Sequence, residues 1–503
     1  MIRLGCLFLL LTCLLTLNAQ KREMRGAWIA TVANIDWPSK RDVTSEVQKQ
    51  EMTLLLDSLH NCGVNAVFFQ VRPTADALYR STIEPWSEWL TGEQGRAPQD
   101  SLFDPLEYVV REAHRRCMEV HAWVNPYRVT NYANAKLVSN HLFYKRPELF
   151  IKYGDRIIFD PGKDETAEYL LTVIKDVVNR YDIDGIHLDD YFYPYPISGK
   201  DFPDENTFKE HPNGFKNKAD WRRDNVNRVM SRLHDTIKAY KPWVEFGVSP
   251  FGVWRNKSQD SRGSDTKAGC TNYDDLYADV LLWAERGWVD YVAPQLYWEI
   301  GKKVADYSVL APWWRKNITG CKLYFGLYVS GLEVNRTPAW RAPNEVIRQM
   351  QYNKECVDID GEIFYSTHYI LRNPQGLLDS LKNSYFVRPA LTPVTNGGAE
   401  AIFPVDLKLN NDTLSWKNVV ADEGEAISYY VVYAFPDSMD CDFEETRNIV
   451  AVTADTSLDL SKYEWGGNVY TLTVTAVNRF RRESEPYEFV PYRKKESARD
   501  FPQ

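Results

Sequence analysis

Short apolar runs alternate with helical periodicities along most of the chain. The runs lie at 25–32, 66–71, 120–125, 184–189, 245–248, 289–296, 323–329 and 362–366, and each is apolar at consecutive rather than alternate positions. Strands covered on both faces read this way, as in a parallel sheet flanked by helices. Between the runs, apolar residues recur at helical spacing. Val43, Val47, Leu54, Leu55 and Leu59 share one face of a helix closed by Asn61-Cys62-Gly63. Leu170, Leu171, Ile174, Val177 and Val178 mark another over 166–180, and further helical stretches fall at 105–117, 221–240, 276–286 and 345–356. Eight such strands predict an α/β fold, a (β/α)8 TIM barrel with enlarged loops. A doubly wound sheet would place a glycine-rich phosphate loop after its first strand, where this chain has Asp36-Trp37-Pro38.

The period changes after Pro389. Leu391-Thr392-Pro393 and Asn396-Gly397-Gly398 read as linker, and the runs at 414–416, 427–434, 449–452 and 469–477 alternate with period two. The reading is a barrel over 20–388 and an all-β immunoglobulin/fibronectin-like sandwich over 389–503. The strands around Trp416, Tyr430–Tyr433 and Tyr470–Asn478 resemble a fibronectin type III domain. No catalytic set is visible there, so stiffening or partner binding is its expected role. A chain of 503 residues accommodates two such units.

Residues 1–19 read as a signal peptide: Arg3, an apolar run from Leu4 to Leu17, and cleavage after Ala19. Cys13 follows Thr12, a poor fit to a lipoprotein cleavage site. The protein is therefore expected to be exported, to the periplasm or cell envelope, with outer-membrane association as one destination. Six cysteines remain beyond the leader, with no zinc-site or redox spacing. A disulfide is allowed by the compartment, without a pairing that the sequence names. The net charge of −9 and the lack of a basic run disfavour a nucleic-acid partner. No protein partner can be named.

Strand exits supply the candidate chemistry, because a barrel gathers them at one rim. Asp184-Gly185-Ile186-His187-Leu188-Asp189-Asp190-Tyr191 ends in two adjacent carboxylates followed by aromatics. Glycoside hydrolysis uses two carboxyl groups across the scissile bond. Asp189 is the first candidate. Asp190 points to the opposite face of the strand, so the adjacent pair does not easily fill both roles: one of the two is expected to serve the reaction and the other to orient a loop or an Arg. Glu299, beyond the sixth strand, is the expected second carboxylate, and apolar surroundings would have to raise its pKa for it to act as an acid. Asp36 is the alternative, with Glu333 behind it. Arg72, Asn125, Arg128, Gln295 and His368 suit hydroxyls, N-acetyl carbonyls or a substrate carboxylate. His187 inside the strand reads as a packed, hydrogen-bonded histidine. Trp37, Tyr127, Tyr191, Tyr193, Trp254, Tyr297, Trp298 and Tyr328 are expected near the substrate, since aromatic faces cover the apolar side of sugar rings. The aromatic fraction of 14% agrees with this. The expectation is a secreted glycoside hydrolase with an extended cleft, using neither cofactor nor metal. Its rivals are a glycan-binding barrel without catalysis, and a deacetylase or other barrel hydrolase, which would need a compact His/Asp set that eight histidines do not obviously provide.

At these residues the sequence resembles the glycosyl hydrolase-like 10 family of bacterial (β/α)8 envelope proteins. The resemblance rests on Arg25-Gly26-Ala27-Trp28-Ile29, Phe69-Gln70-Val71-Arg72-Pro73, Ala122-Trp123-Val124-Asn125-Pro126-Tyr127, Gly185 to Tyr191, Gly247-Val248-Ser249-Pro250-Phe251-Gly252 and Pro294-Gln295-Leu296-Tyr297-Trp298. It implies a cell-envelope glycosidase, with peptide-free peptidoglycan glycan strands as the implied substrate and another bacterial or dietary glycan as the alternative. The Asp-Gly-x-x-x-Asp pattern also resembles the fourth strand of α-amylase-like barrels, where the last Asp is the nucleophile. Those barrels carry Arg where this chain has His187, a departure from their retaining pattern.

Overall fold

A computed structural model describes residues 20–341, 344–419, 426–436, 440–466 and 469–494. The leader expected at 1–19 lies outside the described residues. The first strand, β1 (Met24–Ile29), is followed by β2 (Ala66–Arg72) and β3 (Glu119–Val124). An antiparallel hairpin, β4 (Phe150–Tyr153) and β5 (Arg156–Phe159), then interrupts a stretch that the sequence reads as loop. The strands β6 (Gly185–Leu188), β7 (Glu245–Val248), β8 (Tyr291–Val292), β9 (Lys322–Tyr328) and β10 (Gly361–Tyr365) complete the set. β1, β2, β3, β6, β7, β8, β9 and β10 close into an all-parallel barrel, with β10 pairing back to β1. This is the predicted TIM-barrel class.

Two local expectations change. The run at 289–296 forms a strand only at Tyr291–Val292, because Pro294 has no N–H for the ladder; pairing resumes as isolated bridges from Gln295 to Phe251 and Gly326. A helix at Tyr307–Asn317, absent from the sequence reading, sits before β9. Pro312 hides it, yet Tyr307, Leu310, Ala311 and Trp314 form its buried face and Asp306 caps it through the Ser308 N–H at 2.8 Å.

The barrel interior is aromatic: Trp28, Phe68, Trp123, Tyr291 and Tyr324 pack with Met24 and Ile363. Such bulk fits because inward positions elsewhere carry glycine. A Cβ on Gly185 would lie 2.2 Å from His121 Nδ1, and one on Gly247 would lie 2.1 Å from Tyr291 Cζ.

The remaining strands are β11 (Val405–Asn410), β12 (Thr413–Lys417), β13 (Ile427–Pro436), β14 (Ile449–Thr453), β15 (Ser457–Asp459), β16 (Val469–Asn478) and β17 (Phe489–Arg493). They form two antiparallel sheets, β11-β12-β15 and β14-β13-β16-β17. Trp416 packs on Tyr430 at 5.4 Å inside this sandwich. The sandwich docks where the barrel strands begin, opposite the mouth. Arg481 grips Glu119 at the start of β3, Thr395 bonds Glu245 at the start of β7, and Arg479 pairs with Asp182 before β6. All six cysteines after the leader are free thiols.

Candidate active site

The strand ends open into a cavity of about 270 Å³. Its wall includes Asp189, Asp190, Tyr191 and Tyr195 after β6, Trp28 of β1, Gln70 of β2 and Trp123 of β3. Arg128, Asn131, Ser249, Gln295, Tyr297 and Tyr365 complete the polar and aromatic surface. These elements converge because the barrel tilts its C-terminal ends to one rim, as the sequence led one to expect.

Asp189 is held rigidly at the floor and is 2% exposed. The Trp123 indole donates to it at 3.1 Å and the Asn125 amide at 3.0 Å, while the Asn125 carbonyl oxygen accepts from the Arg128 N–H at 2.8 Å. Burial pushes the Asp189 carboxyl up; the Arg128 charge and the Trp123 and Asn125 donors oppose it. Asp190 also has donors, the Gln295 amide and its own backbone N–H among them. The Tyr195 hydroxyl donates to it, and burial followed by the adjacent Asp189 charge raises its carboxyl to about 6. The neighbouring carboxyls thus differ in the charge that faces them: the Arg128 guanidinium supports the ionised form of Asp189, the Asp189 charge opposes ionisation of Asp190, and Asp190 is the readier to hold a proton.

Gln70 was not among the sequence candidates. Its Oε1 accepts from the Thr31 and Val32 N–H groups at 3.0 and 2.9 Å, which turns its amide nitrogen to a buried place with no partner on the cavity wall. A buried donor without a partner costs free energy until a ligand accepts from it. Only the position of Gln70 at a strand exit could have signalled this. Trp28, Trp123, Tyr195, Ser249 and Tyr365 also line the cavity.

Several expected ligands take other roles. Glu299 does not line this cavity: Trp340 Nε1 donates to it at 2.9 Å and Lys302 Nζ at 3.1 Å. Despite its burial, those partners hold its carboxyl below the usual range, the opposite of what a general acid needs. Asp36 is tied behind the wall by the Ala30 and His368 N–H groups at 2.7 and 2.6 Å, with burial raising it to about 6. Arg72 is buried in a two-pronged pair with Glu84 at 2.8 and 2.6 Å, which fixes the loop after β2. Trp37 is buried and donates to the Gln48 carbonyl, Tyr193 packs on Phe202 and Tyr277, and Trp254 stacks on Trp313. Trp298 is half-buried against Phe251, and Glu333 pairs with Arg372. The His368 side chain is exposed. Tyr328 stacks on Tyr297 at 5.0 Å, and Tyr297 continues onto Tyr365 at 5.8 Å, a continuous aromatic wall.

A second cavity of about 270 Å³ adjoins the first and shares Arg128, Tyr191 and Tyr195 with it. Tyr127, Tyr153 and Arg156 line its far side. Among the described residues no group of three or more His, Cys, Asp or Glu is placed to hold a metal ion.

Known proteins place this architecture. The chain is 40% identical over 484 residues to the glycosyl hydrolase YngK of Bacillus subtilis, covering 93% of each chain. It is 39% identical over 384 residues to the glycosyl hydrolase DigH of Escherichia coli, covering 72% of this chain and 86% of DigH. Residues 23–342, which carry β1 to β9 and both carboxylates, match the family described as glycosyl hydrolase-like 10, and the chain belongs to that family.

Proposed function

We propose that this protein is an exported glycoside hydrolase that cleaves a bacterial or complex polysaccharide, peptide-free peptidoglycan glycan strands first among them. The observation that carries the reading is the unequal pair at the cavity floor. Asp190, raised to about 6, is suited to give its proton to the leaving glycosidic oxygen. Asp189, ringed by Trp123, Asn125 and Arg128, is suited to remain ionised and face the positive character that an oxocarbenium-like transition state develops. Tyr297 and Tyr365 on the cavity wall, with Tyr328 stacked behind Tyr297, offer aromatic surface to sugars, and the unpaired Gln70 amide offers a donor to a hydroxyl or an N-acetyl carbonyl. Two adjoining cavities suit consecutive sugar units of a polymer. The names of YngK and DigH agree with glycosidase chemistry.

The test is product release from purified peptide-free glycan strands, read by mass spectrometry. Cleavage by the wild type that falls at least a hundredfold in Asp189→Asn and in Asp190→Asn, but persists in Glu299→Gln, is the expected outcome. Cleavage that depends on Glu299 would overturn the assignment of the pair. Binding by every variant without products from any would favour a glycan-binding protein.

A further inference from the structure

A file of buried polar side chains runs through the barrel from the sandwich to the cavity floor. Arg481, just past β16, donates from Nε and Nη2 to Glu119 at 2.8 and 2.9 Å. Glu119 Oε2 lies 3.2 Å from His121 Nε2, and His121 Nδ1 lies 3.0 Å from the Tyr291 hydroxyl. That hydroxyl is also 3.0 Å from His187 Nδ1. On its far side, His187 Nε2 meets Ser249 Oγ at 2.9 Å and Trp28 Nε1 at 3.2 Å, both on the cavity wall. Neither histidine has any exposed surface, and Gly185 and Gly247 provide the space that the His121 and Tyr291 rings occupy.

The two ends determine where every proton sits. Glu119 is kept ionised against the effect of burial by Arg481 and His121, so it only accepts, and His121 Nε2 must carry a hydrogen. At the other end the Trp28 indole only donates, so His187 Nε2 must be bare. Burial keeps His187 neutral, and its proton therefore lies on Nδ1 and goes to the Tyr291 oxygen. Tyr291 in turn donates to His121 Nδ1. Both ends require the same order, with each donor pointing toward the sandwich.

We infer that Arg481 of the sandwich is a positioning residue of the active site, which fixes the tautomer of His187 through Glu119, His121 and Tyr291. The Ser249 hydroxyl then shares the His187 Nε2 lone pair with the Trp28 N–H as a second donor and turns its own lone pairs toward the cavity, an acceptor for a substrate hydroxyl. Without the Arg481 charge, Glu119 takes up a proton or passes it to His121. In either case His121 donates to Tyr291 from Nδ1, Tyr291 donates to His187, and His187 carries hydrogen on Nε2 against the Trp28 N–H. Glu245 also faces Arg481, but the Lys322 ammonium and the Thr395 hydroxyl already satisfy it.

The inference holds for whichever glycan fills the cavity, so its test does not depend on the proposed substrate. Nitrogen-15 spectra of the histidine rings in the full chain read both tautomers. The wild type and Arg481→Lys, which keeps the charge, are expected to show hydrogen on Nδ1 of His187 and Nε2 of His121. Arg481→Met is expected to show hydrogen on Nε2 of His187 and on Nδ1 of His121. If Arg481→Met does not fold, Glu119→Gln is read instead. Arg481 can only donate, so it would claim the glutamine oxygen and turn the amide N–H toward His121, forcing the same reversal. A folded Arg481→Met or Glu119→Gln with the wild-type tautomers overturns the inference, as does reversal in Arg481→Lys.

Discussion

Replacing Asp190 by Asn should stabilise the protein at neutral pH while abolishing turnover. The Asp190 carboxyl is buried and rises from the ordinary 3.8 to about 6, through desolvation first and the adjacent Asp189 charge second. The folded state therefore holds more protons than the unfolded chain between those two values. Stability falls as pH rises through that window and stays reduced above it. The gap of about 2, at about 1.4 kcal/mol per pH unit, makes the ionised Asp190 cost about 3 kcal/mol above pH 6. Asparagine has no charge to bury, and its oxygen still accepts from the Tyr195 hydroxyl. Thermal unfolding of both proteins from about pH 4 to about pH 8 measures this. The melting temperature of Asp190→Asn relative to wild type should climb between pH 4 and 6 and then level off, a gain of a few degrees. A difference that does not change with pH would refute the claim that burial and Asp189 load this carboxyl, and the assignment of Asp190 as proton donor would lose its basis.

The rate should carry the same signature: kcat is expected to drop about tenfold per pH unit above 6 as Asp190 ionises, and to fall again at acid pH as Asp189 protonates. A pH–rate profile that stays flat from 5 to 8 would contradict it. Gly247→Ala puts a methyl 2.1 Å from Tyr291 Cζ inside a closed barrel, and should cost about 3 kcal/mol or more in a denaturant titration; a loss below 1 kcal/mol would show that the ring yields.

The barrel is legible in the chain because strands buried on both faces leave unbroken apolar runs, and Asp189 is legible because its strand delivers it to the mouth. Glu299 shows where that reading stops. Its place past the sixth strand is visible, but its direction is decided by Trp340, a partner 41 residues away that no local pattern announces. Aromatic residues mislead in the same way. Trp37, Tyr193 and Trp254 have the composition and loop position of sugar platforms, yet each is buried in packing. Gln70 was hidden for the opposite reason: half of its amide serves the backbone at Thr31 and Val32, which frees the other half for a ligand. The carboxyl pair had one cue, adjacency, but which member keeps the proton depends on Asn125, Trp123 and Tyr195 arriving from separate segments.

The docking of the sandwich beneath the barrel bears on the order in which the chain acquires structure. The first described residues end up against the last quarter of the sequence: the Glu23 N–H donates to the Leu391 carbonyl, and Lys21 reaches Glu444 across 423 residues. β1 also waits for β10 before the barrel can close. β1 can pair with β2 early, but its other edge has no permanent partner until nearly all of the polypeptide is present. Contacts this distant in sequence make folding slow and leave apolar strands uncovered meanwhile. A truncation that removes the sandwich would deprive Glu119 of its guanidinium and β1 of its bracing together, so the barrel and the sandwich are expected to refold as one cooperative unit.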